Sequence, residues 1–295
     1  MTAPVAKGPP NAAQVLPRRF EDLAALPDES IDVALGAALV ARDVYAGFDV
    51  VRAIAELDAM ATPLAAEDLA SEPAEHQAAR LATHIFGTLG FRGNEKDYYD
   101  PRNSLLADVL ERRLGIPITL AIVYCEIARR VGVPASGVGF PGHFLVRIEK
   151  APGVSGGEPL IVDPFFGGRV LDEAALVRMV TRALGPDAKL LPSHLVAASS
   201  RAVLVRVLTN LKAIYLQRGD HARAHLALDR IVSLTPSTMA LKERGLVAAK
   251  LGAAEAARED LERVLTLDPS ASDAGAIRAH LARVSALASA RRTLN

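Results

Sequence analysis

Apolar residues recur at helical spacing through the first third of the chain, as in Ile31, Leu35 and Leu39 and then Val50, Ile54 and Leu57. Helix starts are marked in the same stretch: Ser30 is placed to cap the first helix, Thr62 precedes a proline at a natural first helical position, and Ser71 opens a segment running to Leu89. Residues 26–90 therefore read as a small helical domain with no chemistry of its own. From Phe91 to Arg102 the pattern breaks into a polar, turn-rich stretch with Tyr98 and Tyr99 side by side, which predicts a structured loop. A short helix over Leu105, Val109 and Leu110 ends at Gly115, and Pro117 starts another that runs to Val131 before Gly132 and Pro134 stop it. Beyond that point the period falls from about 3.6 to 2. Phe144, Val146 and Ile148 alternate with Leu145 and Arg147, and Leu160-Ile161-Val162 follows a Gly- and Pro-rich connection, so an antiparallel hairpin is predicted.

From Ser199 the chain is helical again and repeats itself. Gly219 and Gly252 lie 33 positions apart, as do Pro236 and Pro269, and Arg230–Pro236 overlays Arg263–Pro269. The period and the turn residues resemble tetratricopeptide repeats. Such repeats bury a continuous core only when stacked, so two of them and a last helix from Ala276 to Ala290 need a covering surface, expected from the preceding domain. The repeat is either a packing buttress or a peptide-binding surface, since fold alone does not decide function.

Composition narrows the function classes. Half the residues are hydrophobic, few are aromatic, and Ala and Leu dominate, which favours helix. The 34 basic and 34 acidic residues cancel, leaving no field to attract a polyanion, so nucleic acid is not an expected partner. A single cysteine permits no intramolecular disulfide, and no Cys/His cluster stands at zinc spacing, so a reducing compartment and no structural metal are expected. Neither a Walker-type loop nor a full dinucleotide fingerprint occurs, and no cofactor is implied. The first twenty residues carry Pro9, Pro10 and Pro17 without a signal-peptide core, and no run approaches the ~20 apolar residues that span a bilayer. These features predict a cytoplasmic protein, away from membranes, with residues 1–25 disordered.

Candidate chemistry lies at the hairpin. A turn symmetric about Gly153 sets His143 opposite Asp163, and directly opposed residues on one face have Cβ atoms about 4.5–5.5 Å apart. An Asp accepting from an imidazole N–H orients the ring, fixes its tautomer and stabilises imidazolium, as a general base beside a nucleophile requires. The alternative is a His at a strand start and an Asp in an Asp-Pro turn, joined as a structural pair.

Four blocks carry a resemblance: Asp97-Tyr98-Tyr99-Asp100-Pro101-Arg102-Asn103-Ser104, Gly115–Leu120, Gly139-Phe140-Pro141-Gly142-His143-Phe144-Leu145 and Val162-Asp163-Pro164-Phe165. They resemble the signature blocks of the transglutaminase-like core of the bacterial SirB family. The resemblance implies a papain-like arrangement in which His143 and Asp163 take the His and Asp positions and a Cys opens the preceding helix, where the helix dipole favours thiolate. Here that helix start is Gly115-Ile116-Pro117-Ile118-Thr119. The only cysteine, Cys125, lies six residues beyond Thr119, about 9 Å along the axis and roughly 240° away in direction. Its neighbours at helical spacing, Ala121, Ile122 and Ala128, read it as a buried, inert thiol. Thr119 either stands as an attacking hydroxyl beside His143 or bonds local backbone. Asn103 and Ser104 either line the cleft or cap the helix beginning at Leu105, Tyr98 either walls the cleft or packs its loop, and Phe140 is taken as a cleft residue.

These readings give an α+β protein: a helical N-terminal domain (26–90), a papain-like transglutaminase-like core with a small antiparallel sheet (91–195) and tetratricopeptide-like helices (196–295). The first functional expectation is a module without the usual nucleophile that binds a protein or peptide partner in the His143/Asp163 cleft, with the repeat as a second surface. The second is an amide hydrolase or acyl transferase using His143 as base, Asp163 as its orienting group, and Thr119 or water as the attacking group.

Overall fold

The computed structural model describes residues 17–149 and 159–292, with side chains described as far as residue 285. Twelve α-helices and six strands are found among these residues. The helices are α1 (Phe20–Ala24), α2 (Val33–Val44), α3 (Val50–Ala61), α4 (Ala74–Ala82), α5 (Leu106–Arg112), α6 (Pro117–Arg130), α7 (Glu173–Leu184), α8 (Ser200–Gln217), α9 (His221–Leu234), α10 (Thr238–Lys250), α11 (Ala254–Leu267) and α12 (Ala274–Arg292). The strands are β1 (Arg92–Gly93), β2 (Leu114–Gly115), β3 (Ala135–Val138), β4 (Leu145–Ile148), β5 (Leu160–Asp163) and β6 (Arg169–Leu171). The mostly helical chain with one small antiparallel sheet is the fold class expected from the sequence. No helix among the described residues is long and apolar enough to cross a membrane.

Backbone contacts separate two units, one holding Pro27–Leu204 and the other Phe20–Leu26 together with the chain from Val205. In the first, α6 is the central element. Pro117 stands at its first position, where a missing N–H costs nothing, and eleven of its fourteen residues are buried, so it is apolar nearly all round. Around it, α2 carries an N-terminal cap from Asp32, whose carboxylate accepts the Leu35 N–H at 2.8 Å. Asp32, rather than the expected Ser30, therefore starts that helix; Ser30 sits in a preceding 3-10 turn. The helix α4 continues as a π-helical turn over Thr83–Thr88, in which the buried His84 bonds the Met60 carbonyl at 2.7 Å.

The four-stranded sheet runs β3-β4-β5-β6, antiparallel throughout. Val138, Leu145, Ile161 and Leu171 point from it into a core completed by Leu176 and Val180 of α7. Its β3 edge is closed by the chain itself, where Ala198 N–H donates to the Gly137 carbonyl at 2.8 Å and Ala197 bridges Val138.

In the second unit, α9, α10, α11 and α12 stack in sequence order. The turns leading into α9 and α11 place Gly219 and Gly252 at φ +72° and +74°, which explains why the repeat keeps glycine there. Arg244 of α10 forks onto the buried Asp260 of α11 at 2.7 and 2.8 Å and reaches Asp229 of α9 at 2.6 Å, tying three helices. The segment expected to be disordered, residues 1–25, departs from that expectation at its end: α1 is helical, with Phe20, Leu23 and Ala24 buried, and packs on α9. Residues 1–16 lie outside the described part. Burying Phe20 and Leu23 contributes about 1.5–3 kcal/mol each, while fixing a backbone costs about 1–2 kcal/mol per residue. For a helix of five residues these are of comparable size, so α1 is held close to balance.

Candidate functional site

His143 follows a turn in which its N–H returns to the Phe140 carbonyl at 3.0 Å, two residues before β4 begins. Asp163 ends β5 and starts a 3-10 turn over Pro164–Phe166, and its carboxylate caps that turn by accepting the Phe165 N–H at 3.1 Å. The same oxygen, Oδ1, meets His143 Nε2 at 2.9 Å. The strand register is not the one expected: Val146 pairs with Val162, so the hairpin is displaced by two residues from symmetry about Gly153. A shift of two preserves the face on which each side chain stands, and the imidazole covers the remaining offset.

Asp163 is fully buried and His143 nearly so, with 13% of its side chain exposed. With Nε2 carrying the proton donated to Asp163, Nδ1 is the nitrogen left to accept one, which is the tautomer a base requires. The second carboxylate oxygen, Oδ2, is buried without a hydrogen bond among the described residues, and the guanidinium of Arg169 stands 3.6 Å from it. Aromatic rings surround the pair. Phe166 stacks on the imidazole at 6.4 Å and 19°, Phe165 meets it edge-on at 6.1 Å, and Tyr98 meets Phe165 at 6.0 Å. Arg169 lies over Phe166 at 4.8 Å. Tyr98, Tyr99 and Phe166 remain exposed, forming an aromatic rim beside His143. Gly93 of β1 makes this arrangement possible, because a Cβ there would stand 2.6 Å from the Phe165 ring and 2.7 Å from its carbonyl.

The other sequence candidates fall elsewhere. Thr119 is buried, its hydroxyl donating to the Asn103 carbonyl at 2.7 Å and accepting the Ile116 N–H at 3.1 Å. A hydroxyl has one proton to give, so Thr119 closes the start of α6 rather than presenting an attacking oxygen. Asn103 does not cap the next helix, which begins with Leu105 at its cap and no side-chain bond there. Instead, wholly buried, it donates to the carbonyls of Asp97 and Tyr98 at 2.7 and 3.3 Å and accepts from Asn94 at 3.0 Å, which pins the tyrosine loop. Ser104 is buried and its hydroxyl has no hydrogen bond among the described residues, so it neither caps nor lines an open surface. Phe140 is a core residue, packed with Val138, Leu145 and Ile161, not a wall of the site. Cys125 is free and half-buried on α6; burial, aided by the neighbouring Glu126 charge, pushes its thiol up and away from thiolate. Sequence reasoning missed Phe166 and Arg169, although an aromatic pair directly after an Asp-Pro turn was the available signal. Among the described residues no group of three or more His, Cys, Asp or Glu side chains is placed to hold a metal ion.

A family model for the transglutaminase-like superfamily matches residues 52–209, and one for the tetratricopeptide repeat matches residues 211–282. A UPF0162 protein of Xylella fastidiosa is 41% identical over 281 residues, covering 92% of this chain and 96% of its own. A UPF0162 protein of Pseudomonas aeruginosa is 31% identical over 238 residues, covering 78% of this chain and 83% of its own. A stretch of 63 residues, 21% of this chain, is 48% identical to human F-box only protein 21, of which it covers 10%. No solved structure matches.

Proposed function

This chain belongs to the transglutaminase-like superfamily and to the UPF0162 proteins, and from that premise we propose that it is a non-catalytic module binding a protein or peptide at the aromatic rim beside His143. The signature blocks that resemble the SirB family support this placement, and a single cysteine, which permits no intramolecular disulfide, supports a reducing, cytoplasmic setting. The observation that carries the reading is the pairing of an ordered His–Asp couple with a helix start that has no nucleophile to offer. In a thiol enzyme of papain type the imidazole and the helix dipole act together on one sulfur. Here the helix start is tied up by Thr119, and the sole thiol sits two turns further along with its ionisation suppressed. What the couple does retain is shape: Asp163 fixes His143, and His143 in turn supports Phe166 at the surface.

Exposed Tyr and Phe rings supply large contact area at low entropic cost, Arg169 adds donors for a main-chain carbonyl or a side-chain acid, and His143 Nδ1 adds an acceptor for a main-chain N–H. The tetratricopeptide unit supplies a second protein-contacting surface in this reading. One observation favours the enzyme alternative: the bond from His143 Nε2 to Asp163 leaves Nδ1 as the accepting nitrogen of an oriented imidazole, the arrangement a general base requires.

Selection of displayed random peptides on the immobilised full-length protein separates the two. Binding peptides that lose affinity in Phe166→Ala and are recovered intact by mass spectrometry after prolonged incubation support the binding module. Peptides cleaved or acylated by the wild type and left untouched by His143→Ala would establish the enzyme instead. Selection without any Phe166-dependent binder removes the rim as the contact surface.

A further inference from the structure

The repeat unit already holds a short peptide of known sequence. The segment α1 is separated from α9 by nearly the whole first unit in sequence, yet it belongs to the second unit and seats Phe20 and Leu23 there at 2% and 0% exposure. The two side chains stand three positions apart, on one face of a single helical turn. Arg230 of α9 recognises this turn twice: its guanidinium lies 5.3 Å from the Phe20 ring centroid, and it forms an ion pair with Glu21. Most of the Arg230 side chain is buried by the arrangement, with 13% left exposed. An apolar seat, an aromatic ring under a guanidinium and a neighbouring carboxylate together define a recognition pattern rather than undirected packing.

We infer that this face of α9 is a peptide-docking site occupied in cis by α1, and that its partner is a helical segment with an aromatic residue, an acid directly after it and an aliphatic residue three positions beyond the aromatic. This rests on the second half of the reading above, a repeat surface that takes a protein segment, and is independent of the His143 rim. Two features make α1 a displaceable occupant. It has five residues, too few to be helical without its seat, and its burial and ordering terms nearly balance. It is also part of the same chain as its site, so an opened α1 returns by an intramolecular step with which any partner must compete. A weak partner is thereby excluded and a stronger one admitted.

The test uses full-length protein and a fluorescein-labelled peptide of residues 17–27. Wild type, its site filled, is expected to bind the peptide at least about tenfold more weakly than Phe20→Ala/Leu23→Ala, whose own segment cannot compete. Adding Arg230→Glu to that double variant should abolish binding, and a peptide carrying Glu21→Lys should restore it. Equal binding by wild type and the double variant, or none by a double variant with native circular dichroism, overturns the inference. Hydrogen exchange on the wild type decides the matter if the double variant does not fold. The amides of Ala25 and Leu26, bonded to the Glu21 and Leu23 carbonyls at 3.0 and 3.1 Å, should exchange at least about 100-fold faster than the α9 interior if α1 opens locally. Protection equal to that of α9 makes α1 a permanent part of the unit and ends the proposal.

Discussion

Replacing Thr119 by valine keeps the shape of the side chain and removes only its hydroxyl. The Ile116 N–H, on a residue 2% exposed, then loses its acceptor, and leaving a buried donor unsatisfied costs about 1–3 kcal/mol. The bond to the Asn103 carbonyl, 2.7 Å long, is also lost, with a net value of about 1 kcal/mol. Thr119→Val is therefore expected to destabilise the first unit by about 2–4 kcal/mol. Thr119→Ser keeps both bonds and gives up one methyl group, which costs about 1 kcal/mol. Since a unit of this size has a urea dependence of about 2 kcal/mol per molar, the valine midpoint should fall by about 1–2 M and the serine midpoint by about 0.5 M. The sole cysteine gives the assay its specificity: Cys125 lies on the same helix as Thr119, so pulsed iodoacetamide labelling across a urea series reports that unit's unfolding. Valine and serine variants of equal stability would refute the assignment of the hydroxyl to the helix start. A valine variant that is stable but has lost a chemical activity would make Thr119 a reacting residue after all.

Three further outcomes follow from the same geometry. Cys125 should resist alkylation in the native protein at pH 8 and react fully in urea, because burial and Glu126 hold its thiol protonated; rapid native labelling would contradict this. Burial, then the nearby Glu126 charge, raises the Asp32 carboxyl above its ordinary value, so its stabilising contribution is complete below the unfolded-state pKa and declines as pH rises through the folded one. Asp32→Asn, which can still accept the Leu35 N–H, should accordingly raise the urea midpoint at pH 7, and the gain should vanish below about pH 4; a gain independent of pH would exclude charge as the cause. Arg244→Ala strands the buried Asp260 and should destabilise the repeat unit by about 3 kcal/mol, with Arg244→Lys recovering only part of it; thermal unfolding within 1 °C of wild type for Arg244→Ala would show that the three-helix tie contributes little.

What the sequence disclosed depended on whether the cause was local. The repeat was legible because Gly219 and Gly252 hold backbone conformations that other residues avoid, which leaves a visible mark at fixed spacing. The approach of His143 to Asp163 was legible from strand alternation, although the register was not. His143, which the symmetric hairpin set directly opposite Asp163, lies instead in the turn from Phe140 that precedes β4, and the displacement of the register by two residues keeps the parity of the sheet. Asn103, Ser104 and Phe140 were misplaced because their side chains turn inward: Asn103 to the loop it pins a few residues back, Ser104 into buried surroundings and Phe140 to the core beneath the sheet. The helix α1 left no signal at all, since five residues after a proline form a turn only against a surface far away in sequence.

The sheet has one further consequence, for self-association. An unpaired strand edge is a template on which another copy of a chain adds its own strand, the route to aggregation. Here the β3 edge is stoppered by Ala197 and Ala198, and β6 offers three residues, headed by the exposed Arg169 and bounded by glycines with positive φ before it and the cap of α7 after it. A strand that short and charged gives an incoming copy almost nothing to extend.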